Sequence, residues 1–337
     1  MRVTSSNRDV CVIIAAKNAA DTIAGAIRSA LREIRVAEVV VVDDGSSDAT
    51  AAVSSQTDDG TGRLKILMLA ANRGPAFARN HAIANSLAPL IAILDADDFF
   101  LKGRFDRLLE GDDWDFVADN IVFVDARNSS AEFDIPEFAA DPRFLDLDGF
   151  IEGNISKRGA SRGEIGFLKP VMRRAFLDEQ GLTYREELRL GEDYDLYARA
   201  LVRGARYKIV HSCGYGAVVR ADSLSGQHRT LDLKRLYEAD RLILSSPDLP
   251  SQAAQLLHRH ERHVRGRYEL RHFLDIKSNA GLWQAALYGL THPAALPAIV
   301  GGIAADKLEA LRGQSEHTAT TSAGLRVLLP GRKIAQK

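Results

Sequence analysis

The chain has 337 residues and a formal net charge of -1, so no bulk basicity points to nucleic acid as a partner. Its apolar and charged fractions are those of an ordinary soluble protein, and its length suits one large domain or one domain with an extension. Its two cysteines, Cys11 and Cys213, have neither a CxxC nor a metal-ligand spacing, which points to a reducing compartment.

The first residues lack the long apolar core of a signal peptide, because Arg8 and Asp9 interrupt it, and a cytoplasmic location is expected. "DVCVIIAAK" then reads as a buried strand, with Cys11 a small core residue. Ile23, Ile27, Ala30, Leu31 and Ile34 recur at helical spacing, and Asp21 is the expected N-cap. "AEVVVVDDGSSD" predicts a second strand, "DATAAVSSQ" a helix and "RLKILMLA" a third strand. "PAFARNHAIANSLA" predicts a helix and "LIAILDADD" a fourth strand. Further on, "FVADNIVFVD" reads as a strand, "EDYDLYARALVRG" as a helix and "RYKIVHS" as a strand. From Thr230 the pattern is helical and rich in Arg and His. Residues 278–305 contain no Asp, Glu, Lys or Arg, but Pro293 and Pro297 break them into two short apolar helices. These suit a core or oligomer contact, with a surface resting on a membrane as the second reading. Residues 313–337 are polar and read as a flexible tail.

Alternating strands and helices with short connections predict an α/β fold with a mainly parallel sheet covered on both faces. In such sheets ligands bind beyond the carboxyl ends of the strands. Those ends are "AAKN", "DDGSSD", "ANRGP" and "DADD", all polar.

Each has a chemical reading and a plainer one. Asp95 and Asp97 lie two apart, so on a strand they share a side and suit Mg²⁺ or Mn²⁺; the plainer reading is a solvated strand end. Asp98 would point the other way and cap the turn into "FFLKGRF". Asp43 and Asp44 can accept hydrogen bonds from a base or from ribose hydroxyls, while Ser46, Ser47 or Asp48 caps the next helix. Arg73 is placed to meet a phosphate or the acidic cluster, and Arg79 either does the same or neutralises Asp95 or Asp97. Gly191 opens a helix whose first turn holds Glu192, Asp193 and Asp195. The helix dipole favours acids there, and Asp193 is the better candidate for a general base aimed into the cleft.

In this order and spacing, "VIIAAKNAADTIAGAIRSAL", "VVVVDDGSSDAT", "NRGPAFARNHAI", "IAILDADD" and "LRLGEDYDLYARAL" resemble the inverting family 2 glycosyltransferases of GT-A fold, over residues 9–225. Within that family the chain is similar to bacterial exopolysaccharide glucosyltransferases of succinoglycan type. The resemblance implies a nucleotide-diphospho-sugar transferase fold with a Rossmann-like sheet. Residues 1–228 would form the catalytic domain, with a nucleotide-sugar half at 9–100 and an acceptor half at 101–228, and residues 229–312 a helical extension. It implies a nucleotide-sugar donor such as UDP-glucose, a divalent Mn²⁺ or Mg²⁺, and a saccharide acceptor carried on a polyprenyl diphosphate. Peripheral contact with the inner face of the cell membrane would follow.

Carried over by position, Asp43 and Asp44 would contact the uridine, and Ala15, Lys17, Asn18, Arg73, Arg79, Asp95 and Ala96 would line the donor site. Asp97 and Asp95 would face the metal, and Asp193 would be the base with Glu192 beside it. In "RADSLSGQH", Arg220, Ser225 or His228 would reach the diphosphate. The first strand ends in Ala15-Ala16-Lys17-Asn18 where the family has Pro-Thr-Tyr-Asn or similar, so an aromatic that stacks on uracil is missing. Without a Gln-x-x-Arg-Trp motif, single addition is expected rather than processive synthesis. A haloacid dehalogenase-like phosphatase would want its D-x-D on an early strand, and a pyrophosphorylase a Gly-rich loop near the start. A non-catalytic sugar-binding module of the same fold is the rival that is not an enzyme.

Overall fold

The computed structural model describes residues 8–125, 143–155, 164–219, 229–247, 249–312 and 326–329. Its N-terminal half alternates β1 (Val10–Ala16), α1 (Ile23–Leu31), β2 (Val36–Asp43), α2 (Thr50–Gln56), β3 (Leu64–Met68), α3 (Pro75–Ala84) and β4 (Leu90–Ile93). These four strands pair in parallel in the order β3-β2-β1-β4. The central strands β1, β2 and β4 are buried along nearly their whole length, which is why they read as unbroken Val and Ile runs rather than as alternation.

Beyond β4 come β5 (Phe99–Phe100), α4 (Arg104–Leu108), β6 (Phe116–Asp125), β7 (Arg143–Leu145), α5 (Leu147–Gly153), β8 (Val171–Arg173), α6 (Arg174–Glu179), α7 (Glu192–Val202) and β9 (Tyr207–Val219). The sheet continues β4-β8-β6-β9-β5, and here only β6 and β9 run parallel. Thus the parallel sheet read from the first half passes into a mixed one. "RYKIVHS" grows into a strand of 13 residues, because β6, β7 and β5 all give it hydrogen-bonding edges.

The helical region comprises α8 (Thr230–Leu244), α9 (Ser251–Ala280), α10 (Leu282–Thr291) and α11 (Leu296–Arg312). Leu233, Leu236, Ile243, Leu257 and Val264 of α8 and α9 belong to the same apolar core as the sheet. Among the described residues, no single helix is long and apolar enough to cross a membrane; Leu282–Thr291 and Pro293–Ala305 would be so together, but they are bent by 100°.

Three expectations are corrected. Asp21 does not cap α1, which starts after Thr22 without a side-chain cap. The fourth strand stops at Ile93, and residues 95–98 form a turn closed by Asp98 N–H on Asp95 O at 3.1 Å. The strand alternation invoked for Asp95 and Asp97 therefore does not apply. Nor are residues 313–337 a tail throughout: Arg326–Val327 forms β10, antiparallel to β6. Asn120 fixes it there, accepting from Leu329 N–H and donating to Leu329 O at 2.8 Å each. Two apolar residues, Val327 and Leu328, drive that return by burial.

Candidate active site

Side chains lace together the carboxyl ends of β1, β2 and β3. Gly45 has φ 65, and a Cβ there would stand 2.7 Å from the carbonyl carbon of Ala71, so only glycine lets the two loops close. Asp44 is buried and accepts from Arg73 N–H at 2.6 Å and Gly74 N–H at 2.8 Å. Asp43, also buried, accepts from Ser46 N–H at 3.0 Å. Asn18 sits at φ 49, which Asn tolerates, donates its N–H to Ser46 Oγ and accepts from Ser47 N–H at 2.9 Å each. Lys17 Nζ donates to Gly45 O at 3.0 Å. Asp48 accepts from Thr50 N–H at 3.0 Å and Ala20 N–H at 3.1 Å. Ala15 lies in register with Val42 at this end of the sheet, and Ala96 is buried within the acidic turn. Arg73 turns its side chain over the Phe77 ring, 3.6 Å from the centroid, and 3.7 Å from Glu186, away from the acidic cluster.

A second cluster joins α3, the β4 turn and the start of α7. Arg79, nearly fully buried, donates through Nη1 to Glu192 Oε1 and Asp193 Oδ1 at 2.9 Å each, and through Nη2 to Asp95 Oδ1 at 3.0 Å. Beside it on α3, Asn80 grips the backbone of Tyr184 in both directions, at 2.8 and 2.9 Å. The expected Arg79–Asp95 pair is present. Its extension to residues 113 and 114 positions away was beyond the reach of any local pattern.

Lys169 was not anticipated. Its Nζ lies 2.9 Å from both Asp95 Oδ2 and Asp193 Oδ2, with a side chain only 7% exposed. Arg104, itself paired with buried Asp119 at 2.8 Å, donates to Lys169 O at 2.6 Å and fixes that stretch of chain. The available signal was a lysine inside the apolar "GFLKPVM", since a charge in such a run is buried only when paired.

Charge explains the cluster's behaviour. Burial would raise the Asp95 carboxyl, but Lys169 and Arg79 outweigh it and bring the pKa down to about 2. Burial lifts Glu192 above the usual carboxylate range, with Arg79 opposing and Asp193 adding to the rise. Burial would weaken the charge of Lys169, yet Asp193 and Asp95 hold its pKa above the ordinary lysine value.

Asp98 is corrected in role. It accepts from Tyr215 Oη at 2.8 Å and Val218 N–H at 2.9 Å, so it ties the turn to β9 rather than capping "FFLKGRF". Burial, then Asp95 and Asp97, raise its pKa well above the normal value. The helix that follows, α4, has Gly103 at its N-cap instead, without a side-chain cap.

Among the described residues, no three His, Cys, Asp or Glu side chains form a ready metal cage. The donor set nevertheless fits a hard divalent cation completed by phosphate oxygens and water. Asp97 is half-buried at the turn, and both oxygens of Asp95 meet protein cations. Arg220, Ser225 and His228 lie outside the described residues. A polar cleft of about 1250 Å³ runs past Asp146, Glu152, His258 and Arg262, and no member of the acidic cluster lines it.

Residues 11–178 match the family model described as "Glycosyl transferase family 2". The chain is 66% identical to "Succinoglycan biosynthesis protein ExoU" of Rhizobium meliloti (strain 1021), over 90% of this chain and 89% of that one. It is 38% identical to "Succinoglycan biosynthesis protein ExoO" of the same organism, over 94% and 90%. Its fold is similar to that of S. aureus TarS 1–349 in complex with UDP-GlcNAc, with a TM-score of 0.56 at 19% identity, covering 80% of this chain and 74% of that one.

Proposed function

The chain belongs to the family 2 glycosyltransferases, and from that premise we propose that it moves a hexose from UDP-hexose, such as UDP-glucose, to a saccharide hydroxyl with inversion. The acceptor is a growing exopolysaccharide repeat unit of succinoglycan type on a polyprenyl diphosphate, met at the inner face of the cell membrane. The names of both relatives support the pathway, and the uncharged, largely exposed α10 together with the uncharged first part of α11, residues 296–305, supports a lipid-linked acceptor.

The observation that carries this reading is the joining of Asp95, at the β4 turn, to Asp193, at the start of α7, through Arg79 and Lys169. It sets a donor-side carboxylate beside a base candidate. The rim made by Asp43, Asp44, Lys17 and Asn18 receives the nucleoside, and Arg73 stands at its edge. Asp97, with Asp95 beside it in the turn, would hold a divalent cation, which would supply positive charge to offset that developing on the leaving diphosphate. Asp193 takes the proton of the acceptor hydroxyl as that oxygen attacks the anomeric carbon, with Arg79 keeping the carboxylate in place. A single base suffices for direct displacement, unlike the paired carboxyl groups of a glycosidase.

The test is a thermal-shift panel of UDP-, GDP- and dTDP-sugars with Mn²⁺ or Mg²⁺, followed by transfer assays. A metal-dependent shift selective for UDP-sugars is expected, lost in Asp97→Asn. Asp193→Asn should keep the shift and lose transfer by about 10²-fold or more. No metal-dependent shift with any donor would sink the reading. Unchanged transfer in both variants would favour a non-catalytic binding module.

A further inference from the structure

Lys169 carries an inference that rests on the donor reading above. A base must present a lone pair to the acceptor hydroxyl, yet Asp193 has both oxygens engaged, Oδ1 by Arg79 and Oδ2 by Lys169, at 2.9 Å each. The two cations differ in kind. Arg79 is a rigid planar fork held by three carboxylates, whereas Lys169 presents a compact ammonium that can rotate on a flexible stem. Lys169 also touches Asp95 Oδ2, and the Asp95 side chain is 35% exposed, so the ammonium stands one carboxylate away from the open side of the site. Within hydrogen-bonding contact, two cations face three carboxylates, Asp95, Glu192 and Asp193.

We propose that Lys169 is a positioning residue that masks the base Asp193 until the diphosphate of the donor draws its ammonium away. A diphosphate oxygen is a strong acceptor for an ammonium N–H. Once one N–H of Lys169 turns to it, Asp193 Oδ2 is open to the acceptor while Arg79 still holds Oδ1. No covalent bond changes in this exchange; one hydrogen bond moves from carboxylate to phosphate. Donor therefore binds before acceptor, and the base is shielded until a sugar is in place to transfer.

The test follows the lysine ammonium signals of ¹⁵N-lysine-labelled wild-type protein by NMR, with binding measured in parallel by calorimetry. Lys169→Arg identifies the signal by its loss. Should that variant not fold, Lys208→Arg removes the other ion-paired lysine with a sheltered side chain among the described residues, 12% exposed, and separates its signal from that of Lys169. The Lys169 signal should shift on saturation with UDP and Mg²⁺ and stay in place with UMP and Mg²⁺. If UDP binds and the signal does not move, or if UMP moves it equally, the masking role is overturned while the donor reading stands. If neither UDP, GDP nor dTDP binds with Mg²⁺, the donor reading falls and the inference with it.

Discussion

Arg79 supplies one guanidinium to three carboxylates, and that sharing makes it the centre of the site's charge balance. Burial opposes its charge, but Asp193, Glu192 and Asp95 more than compensate. Arg79→Met would leave those carboxylates partly unpaired and should lower unfolding stability by about 3–5 kcal/mol, read by chemical denaturation. The acid limb offers a second check. Asp95 titrates at about 2 in the folded protein and about 3.9 unfolded, so its contribution is fully present above the unfolded value and is lost as pH falls through the folded one. In Arg79→Met that acid loss of melting temperature should shrink; an unchanged profile would mean that Lys169 alone holds Asp95. Single residues were legible where a local rule applied. Asp43, Asp44 and Asp193 stand at the strand or helix ends that the motifs marked, and Arg79 stands on the helix read from "PAFARNHAIANSLA". Asp98 was misread because its partners, Tyr215 and Val218, lie about 120 positions on.

At the level of elements, α7 is the part whose placement matters most. Gly191 starts it at φ 71, and a Cβ there would meet Leu236 Cδ1 of α8 at 2.7 Å. Gly191→Ala should cost about 1–2 kcal/mol from the left-handed backbone alone. It should also lower kcat, because the displaced turn carries Glu192 and Asp193. Stability loss with kcat unchanged would separate the turn from catalysis. One residue on, Tyr194 Oη donates to Asp240 Oδ1 at 3.1 Å, and His260 Nδ1 lies 2.8 Å from Asp240 Oδ2. The tyrosine and histidine rings stack at 4.4 Å. Helices α8 and α9 thus brace the turn that carries Glu192 and Asp193. The helix over Glu192–Val202 was readable from its apolar spacing and its acidic first turn, but its anchoring to Asp240 and His260 was not, since those helices carry no motif that points to α7.

Across the whole molecule, polar chemistry gathers at one end of the sheet while uncharged apolar surface gathers on the C-terminal helices. Trp283 is 89% exposed and Leu290 77%, with Leu282 and Leu287 also exposed on α10. Contiguous apolar surface of this kind marks an interaction site, and a tryptophan suits the headgroup level of a bilayer. Deleting the C-terminus from residue 278 is a poor test of membrane contact, because it would also strip β10 from the sheet. Substituting Ser for Trp283, Leu287 and Leu290 together is cleaner. That variant should sediment less with anionic vesicles and hydrolyse donor as the wild type does. Equal sedimentation would remove the membrane role for this face.

The sequence by itself determined the parallel βαβ half and the polar strand ends that carry the acidic residues, because strand and helix periods and turn chemistry are local properties of the chain. Only the tertiary structure decided which charges meet. Lys169, Arg79, Asp95 and Asp193 lie far apart in sequence, and only packing α3, the β4 turn and α7 around one buried point brings them within hydrogen-bonding distance. The same holds for β10: a short apolar pair in a polar stretch becomes a strand only when the edge of β6 is there to receive it.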